Sequence, residues 1–219
     1  MPIVGNTSVF HTASGRLRPG RYGISDLNTS DILASRFLDP DIFHLLQLET
    51  PKVDITIPKM VADYVGTIGD IQNIANTYFD TIHTWMPILS KKQFSSNLPN
   101  YLTHRKSELC LLVICMKLSS ALTTAAKTVL YRTAKQFHFE MESSGILSVA
   151  VLQAGVLITI YELGHAIYPA ALLSVGQCAR YASALEIDKS IIAYVPDKIP
   201  WSEVEEQRRV WWSIIILDR

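Results

Sequence analysis

The chain has 219 residues, 48% of them hydrophobic and 18% charged, with 20 basic side chains against 20 acidic ones. Such a length carries one large domain or a domain with a tail, and the apolar, low-charge composition excludes a disordered linker or activation segment. A formal net charge of zero leaves no global basic field to hold a nucleic-acid backbone, so no direct DNA contact is expected from this segment.

Residues 1 to about 25 have the Gly, Ser, Thr, Arg and Pro content of a tail, with a small basic cluster at Arg16, Arg18 and Arg21. Ser30 and Asp31 are placed to open a short helix through Phe37, and Ile42 to Leu48 suggests another turn. Thr50 to Pro58 is bracketed by prolines and β-branched, which reads as extended linker. The tail and linker thus occupy 1–57 and a helical domain occupies 58–219. Pro58 suits the start of a helix over Lys59–Val65. A second helix is expected over Asp70–Thr84, with Ile71, Ile74, Tyr78, Ile82 and Trp85 on one face, ended by Pro87. The following stretch, with Met86, Ile88, Leu89 and Phe94, is too apolar for a solvated loop and is expected to pack back on the helices.

Arg105–Ala126 reads as a helix buried at its centre. Thr128–Glu142 reads as another, with Val129, Leu130, Ala134, Phe137 and Phe139 inward and Lys135, Glu140 and Glu142 outward. The longest apolar block runs from Ile146 to Ile160. It is short of the roughly 20 apolar residues a bilayer demands and is diluted by Ser148, Gln153 and Thr159, so it reads as a core helix and no membrane role is expected. Gly164 is the expected C-cap. Pro169 then starts a helix over Ala170–Leu185, with Leu172, Leu173, Val175, Ala179 and Ala182 packed and Arg180 charged. A short connection between two apolar helices predicts an antiparallel hairpin. After a loop over Asp188–Pro200, a capping box of Ser202 and Glu205 opens a last helix from Glu203 to the end. No strand alternation recurs. The expected fold is all-α, an irregular multi-helix array of about seven or eight helices around a buried antiparallel hairpin.

Chemistry-bearing patterns are missing. Cys110, Cys115 and Cys178 form no CxxC and no paired His/Cys spacing, so they read as reduced, buried thiols. The six histidines include no HExxH, and there is no GxSxG or Gly-rich phosphate loop. No catalytic, cofactor or metal residue is assigned, and an enzyme is not expected. His165 reads as a surface or cap histidine. Glu162 and Arg180 lie on opposite arms of the hairpin, so Arg180 or Arg209 is expected to neutralise Glu162 or Asp218. Trp211 and Trp212 point about 100° apart on a helix, and both are expected to pack.

The hairpin VLQAGVLITIYELGHAIYPAALLSVGQCARYASALEID, followed by EVEEQRRVWWSIIILDR, resembles the regulatory "middle homology" domain of fungal zinc-cluster transcription factors. The matching residues are Gln153, Tyr161, Glu162, Gly164, Gly176, Arg180 and Ala182, then Glu205, Glu206, Arg208, Arg209, Trp211, Trp212, Leu217, Asp218 and Arg219. YFDTIHTWMPILSKKQF, from Tyr78 to Phe94, is similar to the opening helix of that domain. The resemblance covers about 58–219. It implies a nuclear protein in which these residues are a structural signature. The zinc is expected only in a six-cysteine DNA-binding module that these residues do not contain. The family's domain also continues past the Leu217–Arg219 motif, so the chain reads as a fragment or a truncated gene product, with apolar surface at Ile214, Ile215 and Ile216. Expected partners are proteins of the transcription machinery or a second copy, with a small-molecule effector possible. Two other readings remain: a helical small-molecule sensor with a pocket between the hairpin and the Tyr78–Phe94 segment, and a non-functional remnant.

Overall fold

In the computed structural model the described residues are 55–104, 106–121, 128–187 and 200–219. The expected helical turns within 30–48, the basic cluster at 16–21, the end of the Arg105–Ala126 helix and the loop after Asp188 lie largely outside them. Residues 49–219 form one compact unit. Among the described residues there are eight α-helices and no strand: α1 Lys59–Val65, α2 Ile68–Asp80, α3 Lys91–His104, α4 Lys106–Ser119, α5 Val129–Ser143, α6 Val149–Gly164, α7 Tyr168–Ala184 and α8 Trp201–Leu217. A 3₁₀ turn over Ile82–Thr84 follows α2. The all-α expectation holds, and so does the hairpin.

The central element is α6, which packs against α4, α5, α7 and α8. Every residue from Ala150 to Glu162 is buried. Ser148 caps its start, the hydroxyl accepting from Val151 N–H. Helix α4 is its main partner and is also buried on all sides from Glu108 to Met116. Two apolar helices lying face to face explain why both sequences lack a polar stripe. Pro169 sits in the first turn of α7, where the missing N–H is no loss. The tight turn between α6 and α7 places the left-handed backbone at Ala166 (φ 55°), not at Gly164, because α6 runs through Gly164 and His165 is its cap.

Several boundaries and faces differ from expectation. Thr67 and Asp70 form a capping box that starts α2 at Ile68, with Thr67 N–H donating to Asp70 at 2.8 Å. The Ser202–Glu205 box does not form, since α8 starts at Trp201 and the Ser202 hydroxyl instead accepts from Gln93 Nε2 at 3.1 Å. Residues 91–104 are helical despite Pro99, an element the sequence reading did not contain. Met86, Ile88, Leu89 and Phe94 do pack back into the core. On α5 the buried face is Tyr131, Ala134, Phe137, His138 and Met141, while Val129 and Phe139 are exposed. On α7 Leu172 and Leu173 are 70% and 73% exposed, and Ser174, Cys178 and Tyr181 face inward. Cys110, Cys115 and Cys178 are all buried free thiols. Burial pushes the Cys178 thiol up to about 12, which leaves it inert.

Among the described residues two carboxylates are buried, Glu108 on α4 and Glu162 on α6. Glu162 is 0% exposed and lies in the last turn of α6, where the helix dipole disfavours a negative charge. Lys135 Nζ on α5 donates to Glu162 Oε1 at 2.7 Å, and Tyr131 Oη donates to the same oxygen at 2.7 Å. Ser174 Oγ on α7 donates to Oε2 at 2.5 Å. Arg180 is not the partner. It is exposed and stands one residue off the Ser174–Cys178–Tyr181 stripe, about 100° away from it. Arg209 instead pairs with Glu205 at 2.9 Å, and Asp218 is exposed at the end of α8. Lys135, expected outward, turns to the buried carboxylate instead. It lies beside Tyr131, His138 and Glu142, a polar stripe of spacing four, three and four that runs along the edge of the α5 apolar face.

His138 occupies the same stripe. Its Nε2 sits 3.2 Å from the Val151 carbonyl, and Nδ1 lies 3.5 Å from Glu142. Burial holds the imidazole neutral, lowering its pKa to about 4; Lys135 acts in the same direction, and the Val151 carbonyl and Glu162 act against it. A neutral folded histidine takes up no proton while the unfolded one does, so stability is complete above pH 6.5 and is lost as pH falls towards 4. Glu142 and Glu206, both raised by burial, contribute with the opposite sign.

Three measurements follow from this packing. Urea melts should show Lys135→Ala losing about 2–3 kcal/mol, because Glu162 keeps only neutral donors, while Arg180→Ala stays within about 0.5 kcal/mol. Equal effects from the two would refute the assignment of Lys135. Between pH 6.5 and 4, His138→Gln should remove up to about 3 kcal/mol of the acid-dependent loss; parallel pH profiles would place the loss elsewhere. Gly155→Ala brings a Cβ to 2.9 Å from His138 Nε2 and 3.0 Å from Cys178 Sγ. Crowding of about 1–3 kcal/mol then exceeds the roughly 1 kcal/mol gain in helix propensity, so a net destabilisation is expected in the same assay.

Candidate functional site

The signature residues fall into three groups in space. Gln153 is buried on α6, and its Nε2 donates to the Ile88 carbonyl at 3.0 Å and to Glu206 Oε1 at 2.9 Å. Ser90 N–H donates to the same Glu206 oxygen at 3.1 Å. This node ties α6, α8 and the segment before α3 together. Burial pushes the Glu206 carboxyl up, while the Ser90 N–H and the Gln153 amide pull it down.

The second group is aromatic. Tyr161 stacks on Tyr131 with ring centres 5.5 Å apart, and on His165 at 3.9 Å. His165 Nδ1 lies 2.9 Å from the Tyr161 carbonyl, which closes the end of α6. Burial first, then the hydrogen bond to Glu162, keeps the Tyr131 hydroxyl protonated. The stack therefore runs from the buried carboxylate to the end of the hairpin.

The third group lies on the outer face of α8. Arg208 and Arg209 both contact Glu205, at 2.8 and 2.9 Å, and the Arg209 hydrogen bond is the main force holding the Glu205 carboxyl low. Trp211 packs against the core, whereas Trp212 is 52% exposed. Ile214 is buried and Ile216 is 61% exposed. Apolar surface is thus present at this end, but only on one side of the helix. Arg180, Asp218 and Arg219 are exposed and join none of the three groups. Ala182 is buried on α7. At Gly164 and Gly176 an added Cβ would meet nothing within 4 Å, so packing does not demand glycine at either.

A cavity of about 340 Å³ opens beside the aromatic stack. Its walls are Ile82 from the 3₁₀ turn and Trp85 just after it, Ser119 from α4, Ile160, Tyr161, Leu163, Gly164 and His165 at the end of α6, and Leu217 from α8. It lies between the hairpin and the Tyr78–Phe94 segment, as the sensor reading expects. Among the described residues none of its lining side chains is a lysine, arginine or carboxylate. Sequence reading missed Ile82, Trp85 and Ser119 as wall residues, since nothing local marks a position where helix ends meet. A larger cleft of about 400 Å³ beside α5 is walled by Tyr131, Arg132, Lys135, Gln136, His138, Phe139, Glu142 and Gln177, a lining of mixed charge and aromatic character. Among the described residues no helix is long and apolar enough to cross a membrane, and no group of metal-ligating side chains converges.

The chain is 34% identical over 152 residues to a transcription factor, BOA15, of Botryotinia fuckeliana, covering 68% of this chain and 85% of that protein. It is 26% identical over 158 residues to the transcription factor tazR of Aspergillus terreus, covering 67% of this chain and 24% of the other. The ascochitine biosynthesis cluster transcriptional regulator of Didymella fabae is 30% identical over 151 residues, covering 64% and 26%. The chain thus spans most of the first relative and about a quarter of the other two. No solved structure matches. The fungal specific transcription factor domain matches residues 75–219, which takes in α2 from its middle onward, the hairpin and α8. On that match, the chain belongs to the fungal specific transcription factor domain family.

Proposed function

We propose that residues 58–219 act as the regulatory domain of a fungal zinc-cluster-type transcription factor, in the nucleus. The domain takes part in DNA-templated transcription through helix packing and through partner or effector binding. DNA contact and zinc are assigned to a separate six-cysteine module. The observation that carries this reading is the family match across the hairpin and α8, supported by relatives whose names describe transcription factors and regulators. The exposed Leu172 and Leu173 on α7, and Trp212 and Ile216 on α8, are apolar positions available to a protein partner or a second copy.

The cavity favours an effector as one input. It touches the ends of α4, α6 and α8 together, so a bound molecule would bias how those helices pack. Ligand binding to the folded state alone raises the melting point; at tenfold over Kd the rise for a domain of this size is about 3–6 °C.

Two measurements test the proposal. The chain, fused to an unrelated DNA-binding domain, should change reporter output severalfold relative to that domain alone. Unchanged output from a fusion that localises and folds would refute the regulatory role. Thermal melts against a metabolite panel should reveal at least one stabilising compound; a silent panel leaves protein partners as the input.

A further inference from the structure

The wall of the cavity of about 340 Å³ holds a glycine that nothing inside the fold explains. Gly164 is the last residue of α6 and is exposed. Its backbone is not left-handed, since the positive φ of this turn falls on Ala166. An added Cβ would meet nothing within 4 Å. Glycine is less favourable in a helix than alanine, and no turn or close contact of this fold calls for it there. What the missing side chain leaves is room beside the wall and a bare stretch of backbone along it.

The rest of the wall is apolar and aromatic. Ile82, Ile160 and Leu163 supply aliphatic surface, the Trp85 indole is 57% exposed, and His165 stacks on Tyr161. No lysine, arginine or carboxylate side chain lines the cavity among the described residues. The backbone at the helix ends is engaged as well. At the end of α4 the Met116 and Leu118 carbonyls accept from the Ser120 and Ala121 N–H groups. At the end of α6 the Tyr161, Glu162 and Leu163 carbonyls accept from the N–H groups of His165, Ile167 and Ala166. A charged ligand would leave water here with no opposite charge to meet it, which is unfavourable for either sign. A neutral flat ring can lie against bare backbone and pack on aromatic neighbours at no such cost.

We propose that this cavity binds a neutral, planar aromatic molecule of one or two rings. The ring system takes the space that Gly164 leaves open, and the Trp85 indole packs against it and loses its solvent exposure. A volume of about 340 Å³ lies at the small end of ligand pockets, which limits the ring count. The inference rests on the effector reading above and adds the chemical class.

The test uses the full 219-residue chain and probes on one bicyclic skeleton, titrated by calorimetry: 2-naphthol, the 2-naphthoate anion, protonated 2-naphthylmethylamine and the saturated decahydro-2-naphthol. 2-Naphthol is expected to bind about tenfold or more tightly than either charged probe, and severalfold more tightly than the saturated alcohol. Gly164→Leu puts a side chain where the ring would lie and should abolish 2-naphthol binding, while melting no lower than the parent. If that variant melts lower, Trp85→Leu at its exposed position decides instead, and should bring 2-naphthol down to the affinity of the saturated alcohol. Equal or tighter binding of a charged probe overturns the neutral class, and equal or tighter binding of the saturated alcohol overturns the aromatic class; both leave the effector reading standing. 2-Naphthol binding untouched by Gly164→Leu and by Trp85→Leu overturns the site. No binding of any probe overturns the inference, and the effector reading falls with it only if the metabolite panel is also silent.

Discussion

A carboxylate without water contact sits at the end of the most buried helix, and the arrangement around it follows from that constraint. Glu162 has the helix dipole against it and apolar side chains on most sides. It stays in the fold because Lys135, Tyr131 and Ser174 converge on it from two other helices. An unpaired buried charge costs several kcal/mol, so α5 and α7 cannot rotate freely about α6. The apolar contacts alone allow many rotations of smooth helices. The carboxylate selects one.

The other polar residues of α6 divide the same task. Gln153 fixes α8 and the Ile88–Ser90 backbone through Glu206. Thr159 is satisfied within its own helix, donating to the Gly155 carbonyl. Gly155 lets His138 and Cys178 approach the helix axis. From Gln153 to Glu162 the polar contacts span about 13 Å along the helix. A change at either end is therefore felt by elements that also meet at the other. The Tyr131–Tyr161–His165 stack leads from the carboxylate to the wall of the cavity.

The surface carries the misassigned hydrophobics. Leu172, Leu173, Phe139 and Val129 look like core positions in a sequence, yet all four are exposed. Their helices are amphipathic with a narrow inward stripe, and small or polar residues such as Ser174, Ala171 and His138 occupy it instead. Where α5 and α7 meet α6 at Gly155, the His138 and Cys178 side chains already fill the space a Cβ would take. Hydrophobicity reports what can be buried, and interhelical distance decides what is.

The sequence by itself determined the all-α class, the buried hairpin, the inert cysteines and the apolar segment that folds back, but not the helix over Lys91–His104. Each of these depends on local periodicity, on proline placement or on an apolar run too long to leave in water, all of which are written along the chain. Tertiary structure alone decided the partners. Lys135 rather than Arg180 neutralises Glu162, Ser202 accepts from Gln93 rather than capping α8, and three helix ends enclose one cavity. A charge pair needs its two groups within a few ångströms, and the rotation of each helix about its axis is set by packing against the others rather than by its own residues.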